Sequence, residues 1–431
     1  MKYYRMAGLV LAALLALTGC SSQKPAEDTQ GDLEKETVTA EETAASEVPF
    51  TVYCSDELTA AFLQQFQKEY PEVLLQVETA TEEMLTAWTE GKTGEGLQAP
   101  DMIVVSSDRL GEYAQAGLLT ELTSLGISEK DTENMYSFMK ELGIEEGKLY
   151  GLTWQQTARA FVYNRSLAKK YLEVENNDDM QAAIGEWSGL YNAAEKINSS
   201  SEGKVKLLAS SDEVWEAFLS ANPQWYVEDT LVVPDVMVDL LERYPALIEN
   251  ELTWSYAAGS EEWLSALAEG SAVGCFGDAV LIQEGLAPYF NKDNGDWGFC
   301  YGPQNYVTEA DMIAVTKECQ DTELAAELLE YLTCDKEALE TFARAQLLPV
   351  NHTEVMEALS EGDTGKYGLL KNQNILKGYT NVAGKISTKE PAKEDLELKA
   401  RFIEEVEACI SGEKNIEQAL ADFAKAVEQP E

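Results

Sequence analysis

Residues 100–119 read PDMIVVSSDRLGEYAQAGLL, and the two halves of this stretch obey different periods. Met102 to Val105 form a short continuous apolar run, the mark of a buried strand, whereas Leu110, Tyr113, Ala114 and Leu118 fall on one helical face. Ser106-Ser107-Asp108-Arg109 therefore stands where a strand hands over to a helix. A polar cluster there can serve helix capping, a ligand, or both, and Asp108 favours the helix N-terminus through the macrodipole whichever holds.

Working outward, PFTVYCSDELTAAFLQQFQKEYPEVLLQVET (49–79) repeats the pattern. A strand is expected over 50–54, a helix over about 57–70 and a strand over 73–78. Phe62, Leu63, Phe66 and Tyr70 share one helical face, and Pro71 ends the helix. A further helix over 81–90 leads to the strand at 101–105. Strands alternating with helices indicate a mainly parallel sheet with helices on its faces. Such sheets bind ligands beyond the carboxyl ends of their strands. Asp56 and the Ser106–Arg109 cluster both lie at strand ends of this kind.

Downstream, strand-like pieces flank Trp154-Gln155-Gln156-Thr157, a polar interruption too exposed in character for a central strand. Helices are expected over 179–197 and 261–269. The apolar strand AVGCFG, ending at Gly277-Asp278, follows the second of these. DMIAV (311–315) reads as a strand, 321–332 as an amphipathic helix, and 393–411 and 415–428 as the last two helices. Trp187, Trp215 and Trp263 sit on helical faces and are expected in the core. Trp225-Tyr226 follows Asn222-Pro223, a loop context suited to presenting rings.

The chain has 431 residues, 45% of them hydrophobic, enough for two domains with their own cores. With 77 acidic against 32 basic residues its formal charge is −45, which repels nucleic acid and anionic lipid. Solubility explains that acidity most simply; attraction of cationic ligands is the sharper alternative. The single histidine, His352, excludes sites built on several imidazoles. No zinc-ligand set, phosphate loop or nucleophile elbow is present, so neither metal nor cofactor is expected. The cysteines at 54, 275, 300, 319, 334 and 409 have no framework spacing, and no structural disulfide is expected.

The N-terminus carries the most specific signal. MKYYRMAGLVLAALLALTGC places Lys2 and Arg5 before an apolar stretch too short to span a membrane, as in a signal peptide. Leu17-Thr18-Gly19-Cys20 resembles the lipobox of bacterial lipoproteins. Residues 1–19 are thus expected to be removed, Cys20 to carry lipid and anchor the chain to a membrane, and the polar, acidic residues 20–48 to form a disordered tether. The folded body then works on the extracytoplasmic side of a cell membrane.

Beyond the lipobox, four stretches occur in the order found in one family: FQKEYPEVLLQVE (66–78), PDMIVVSSDRLGEYAQAGLLTEL (100–122), GKLYGLTW…FVYNR (147–165), and the run from the turn at Gly270–Asp278 to AAELLEYLTCDKEALETFARAQLLPVN (325–351). Here the chain resembles the solute-binding proteins of ABC importers, particularly the maltodextrin-binding type. The resemblance implies a two-lobe α/β fold with a ligand cleft between lobes joined by crossing strands. Lobe one is expected to comprise 49–157 plus 303–337, and lobe two 158–302 plus 338–431. It further implies a monomer that captures a sugar and delivers it to ABC permease subunits, without enzymatic activity.

Sugars present fans of hydroxyls and flat apolar faces, so their sites use bidentate polar side chains and aromatic rings. Asp108 and Arg109 match positions where maltodextrin binders place sugar-contacting Asp and Arg. Asp56, Ser106, Trp154, Trp225, Tyr226 and Asp278 complete the expected ligand set. The pattern departs where the family carries stacking tryptophans: this chain has Val105-Ser106-Ser107 and Gly277-Asp278-Ala279. The family's carboxylate before the YN motif falls near Thr157. The aromatic slide for malto-oligosaccharides is therefore largely missing. A cationic or peptide-like solute in the same fold is the alternative, and an extracellular glycosidase, which needs two carboxylates about the scissile bond, is a remote one.

Overall fold

The structure is a computed structural model that describes residues 49–92, 98–221, 224–227, 230–290, 296–386 and 393–428. Cys20 and the segments expected to form the leader (1–19) and the tether (20–48) lie outside these residues. Two sheets organise the chain. The first holds β1 (Phe50–Cys54), β2 (Leu75–Glu78), β3 (Met102–Ser106), β4 (Gly151–Leu152) and β10 (Asp311–Val315) in the order β2-β1-β3-β10-β4. The second is built from β5 (Ala158–Asn164), β6 (Lys206–Leu208), β7 (Ala272–Gly277) and β8 (Trp297–Cys300) in the order β8-β5-β7-β6, with β9 (Tyr306–Val307) also pairing β5.

The mainly parallel pairing expected holds for β1 with β2 and β3, and for β6 with β7. The remaining pairs are antiparallel, because β10 returns into the first sheet from the second, and β5 enters the second from the first. Crossing strands thus change the sheets from parallel to mixed. Both faces of the first sheet are covered: Val52, Met102 and Val104 join one core, while Tyr53, Ile103 and Val105 join another with Trp88, Leu110 and Tyr113. That two-sided burial explains why MIVV is continuously apolar instead of alternating.

Helix α1 (Glu57–Glu69) begins at Asp56, whose carboxylate accepts from the Leu58 and Thr59 backbone N–H groups at 3.3 and 2.7 Å. It buries Phe62, Leu63 and Phe66, and Phe62 stacks on Phe342 with ring centroids 4.3 Å apart. Helix α2 spans Glu82–Thr89 and α3 Ser107–Gln115. The helix expected over 179–197 divides into Asn177–Ile184 and Trp187–Ser200. The break falls at Gly185 and at Glu186, whose backbone is extended; Trp187 is 6% exposed, and so packed in the core.

Three connections pass between the sheets: 153–157, 308–310 and 348–351. The first and third touch, Gln155 bridging Val350 and Asn351 N–H donating to Trp154 O at 2.6 Å. The helix Lys336–Gln346 carries Phe342 against α1, so a division at 337/338 would cut through a packed helix. The chain joins the second sheet only after it, where Tyr379 on the helix Ile375–Ala383 donates its hydroxyl to Gly277 O at 2.7 Å. The final helices Lys393–Ile410 and Ile416–Glu428 bring Phe402 and Phe423 into the core of the second sheet. All six cysteines from Cys54 onward are free.

Candidate functional site

A cavity of about 260 Å³ opens between the two sheets. The end of β1 contributes Asp56, the end of β7 contributes Asp278, and the crossing connections contribute Trp154 to Thr157, Thr308, Glu309, Leu348 and Pro349. Arg159 on β5, Glu284 and Asp311 at the start of β10 complete its polar lining. A second cavity of about 430 Å³ lies beside it, lined by Ser107, Asp108, Glu216 and Tyr306. Both are lined by Thr308 and Glu309, so the crossing into β10 forms a shared wall.

Gln155 ties the acidic floor together. Its side-chain amide donates to Asp311 Oδ2 at 3.1 Å and to Asp56 Oδ2 at 3.4 Å, while its carbonyl accepts from Asp311 N–H at 2.9 Å. Burial raises the Asp311 pKa from its ordinary value, and the nearby Asp56 charge raises it further. Asp278 accepts from Leu281 N–H at 2.8 Å, holding the start of a π-helical turn, Leu281–Leu286, that carries Glu284. Burial lifts the Glu284 pKa as well, followed by Asp56 and Glu57 from the opposite side of the cleft.

Arg159 is the one cation lining the first cavity among the described residues. Burial opposes its charge, but Asp278, Tyr306, Glu213 and Glu216 around it outweigh that and raise its pKa. Its Nη1 donates to Phe276 O at 3.4 Å, while its Nε is buried with no hydrogen-bond partner. Behind it lies Glu213, fully buried, which accepts from Phe276 N–H at 2.9 Å and Trp263 Nε1–H at 3.2 Å. Burial pushes the Glu213 carboxyl up to about 8, against the pull of Trp263, Arg159 and the Phe276 N–H.

Of the residues expected from sequence, Asp56, Trp154 and Asp278 meet in the first cavity and Asp108 lies in the second. Trp154 forms wall and not platform: it is 1% exposed, its ring meets Phe62 and Phe342 edge-on, and its indole N–H donates to Thr59 Oγ1 at 2.7 Å. Trp154, Gln155 and Gln156 are correspondingly buried and Thr157 is half-buried, the two glutamine amides being satisfied by side-chain and backbone partners. Ser106 ends β3 opposite Asp311 and makes no side-chain cap bond; it lines neither cavity.

Three further expectations are corrected. Arg109 turns away to pair with Glu82 at 2.6 Å and to donate to Tyr113 Oη at 2.9 Å. Trp225 is fully buried, 5.5 Å from Phe402 and 5.3 Å from Phe423 between ring centroids, so the C-terminal helices cover the ring that its loop context promised to present. Tyr226 is exposed on a two-strand hairpin and lines neither cavity. Sequence reasoning missed Gln155, Arg159, Glu284, Glu309 and Asp311 as lining residues. Of these, only Asp311 carried a signal, a charge at the start of the apolar run DMIAV.

Among the described residues no His, Cys, Asp or Glu cluster is arranged to hold a metal ion, and no helix is long and apolar enough to cross a membrane. Solved structures share the fold. The GacH receptor of Streptomyces glaucescens, solved unliganded and with acarbose, is 17% identical, with a TM-score of 0.61 over 88% of this chain and 98% of that one. The ABC transporter associated binding protein of B. animalis subsp. lactis, solved with beta-1,6-galactobiose, is 16% identical, with a TM-score of 0.60 over 88% and 96%. The sugar-binding protein MalE of Xanthomonas citri is 14% identical, with a TM-score of 0.61 over 88% and 96%. No match is found among curated protein sequences. Residues 61–362 match the bacterial extracellular solute-binding protein family, and the chain belongs to that family.

Proposed function

We propose that this chain is the substrate-binding component of an ABC importer, which captures an extracellular carbohydrate, an oligosaccharide, and hands it to permease subunits in the membrane. The observation that carries this is the cavity between the sheets, lined from both of them and by all three connections. A solute held there touches both lobes at once, so its binding energy favours the closed arrangement over the open one. Asp56, Asp278, Arg159 and Asp311 supply the acceptors and donors that hydroxyl fans require, and Asp108 extends the site into the second cavity. Fold relatives solved with beta-1,6-galactobiose and with acarbose support a saccharide ligand.

In this account the chain is a monomeric binding protein, not an enzyme. Its first 19 residues are a signal peptide, and lipid on Cys20 anchors it on the extracytoplasmic face. The lobes comprise 49–157 with the segment from 308 through the helix ending at Gln346, and 158–307 with the remainder. A second reading, a cationic or peptide-like solute, is favoured by the five carboxylates in the first cavity.

Thermal-shift titration of the purified full-length chain against mono- and oligosaccharides, polyamines and peptides tests the proposal. A true ligand raises the midpoint in proportion to the logarithm of its concentration over Kd. Stabilisation by amines or peptides alone would overturn the carbohydrate reading. Turnover of any glycoside would overturn the binding-protein reading.

A further inference from the structure

The first cavity holds Asp56, Asp278, Glu284, Glu309 and Asp311 against the single cation Arg159. Arg159 is already surrounded by Asp278, Glu213 and Glu216. The acids at the other end of the cavity have no such partner: no lysine and no second arginine lines it. Asp56 and Asp311 share the single amide nitrogen of Gln155, at 3.4 and 3.1 Å. Asp56 is also held by the Leu58 and Thr59 N–H groups, whereas Asp311 has the shared Gln155 amide and Glu284 no cation among the described residues, so the donors present offset only part of the repulsion among the three. Glu284 faces them from the other sheet, on the turn that begins at Asp278.

Closing the cleft over a neutral solute would strip water from three carboxylates that repel one another across the two lobes. Hydroxyls return hydrogen bonds but no charge, and buried unpaired charge is expensive. A cation between Asp56, Asp311 and Glu284 turns the same three groups from a barrier to closure into its clamp. No metal fits that role, since the described carboxylates do not form a metal-holding cluster. An organic ammonium does, because its three N–H donors reach acceptors that need not converge at metal–oxygen distances. Arg159 lines the same cavity and is its one cationic donor, among the described residues, for a hydroxyl of the same solute.

We infer that the solute is an aminosaccharide, with its ammonium group lodged between Asp56, Asp311 and Glu284 and a hydroxyl oxygen toward Arg159. This rests on the carbohydrate reading of the cleft and adds the charge of the ligand to it. The raised pKa values of Asp311 and Glu284 agree, since an ammonium partner restores the ionised form that burial and like charge disfavour.

Isothermal titration calorimetry on the full-length protein in detergent tests it with matched probes: D-glucosamine against N-acetyl-D-glucosamine, D-galactosamine against its N-acetyl form, and chitosan disaccharide against N,N′-diacetylchitobiose. The free amine is expected to bind at least about tenfold tighter, the factor one charge-assisted hydrogen bond supplies. Added salt should narrow that margin, and Asp56→Asn and Asp311→Asn should each abolish it, while Glu202→Gln on the surface leaves it intact. Asn caps helices as well as Asp does, so Asp56→Asn keeps α1. Neutral saccharides binding as tightly as their amines overturn the charge assignment and leave the carbohydrate reading standing. Binding of none of these amines overturns this inference, and stabilisation by spermidine but by no saccharide in the thermal-shift screen overturns the carbohydrate reading with it.

Discussion

Asp56 has two separable tasks, and two substitutions distinguish them. It caps α1 by accepting the Leu58 and Thr59 N–H groups, and it presents a charge to the cleft beside Asp311. Asp56→Ala removes both. Losing an Asp cap costs about 1 kcal/mol within a range of about 0.5–2. Relief of repulsion with Asp311 and Glu284 offsets part of that. Asp56→Asn keeps the cap and removes the charge, so the free protein should be as stable as wild type or slightly more so. Urea denaturation followed by circular dichroism should therefore show a lowered midpoint for the alanine variant only. The charge effect has its own readout in the Asp311 carboxyl, followed by carbon-13 NMR through a pH titration. Burial is the larger cause of its raised pKa and Asp56 the second, so both variants should move it down without restoring the ordinary value. Equal destabilisation by Asn and Ala would refute the capping argument. An Asp311 titration unchanged by either variant would refute the shared acidic floor.

Phe62→Ala should cost about 3–5 kcal/mol, since the ring is fully buried and stacked on Phe342, and a urea midpoint measures it. Trp225→Ala should destabilise on the same scale while leaving solute affinity unchanged, and Tyr226→Ala should alter neither; a changed Kd for either variant would restore these rings to the site. Glu213 gives a pH signature. Unfolded, it loses its proton near pH 4.3, but in the fold it holds one up to about 8. The native state is then the more protonated in that window, so stability falls as pH rises through it, by on the order of a few kcal/mol in all, and no further above it. Denaturation at pH 5, 7 and 9 should show that fall in wild type, and Glu213→Gln should remove it.

The frame of the fold was readable because its signals are local. The β1–α1–β2 unit and the β3–α3 junction rest on periodicity, on Pro71 and on the cap at Asp56, all within a few residues of one another. The site rests on pairs far apart in sequence. Gln155 meets Asp56 across 99 positions and Asp311 across 156, and nothing in WQQT announces that the first of its two glutamines faces two carboxylates. The same distance misled the reading of Trp225, whose Asn-Pro context is local while its cover, Phe402 and Phe423, comes from the last two helices. Arg109 was claimed by Glu82 on the neighbouring α2, so its place beside Asp108 did not carry it into the cleft. The Ser106–Arg109 cluster thus divides: Asp108 faces the second cavity, Arg109 pairs with Glu82, and Ser106 caps without a side-chain bond.

The most direct test of capture between the sheets is calorimetric titration of a saccharide found by the thermal-shift screen into wild type and into Arg159→Met. Arg159 lines the cavity, and its Nε is buried without a partner. One solute per chain for wild type, with affinity falling at least about tenfold in the variant, is the predicted result. Unchanged affinity in a folded Arg159→Met protein would place the solute elsewhere and contradict the account.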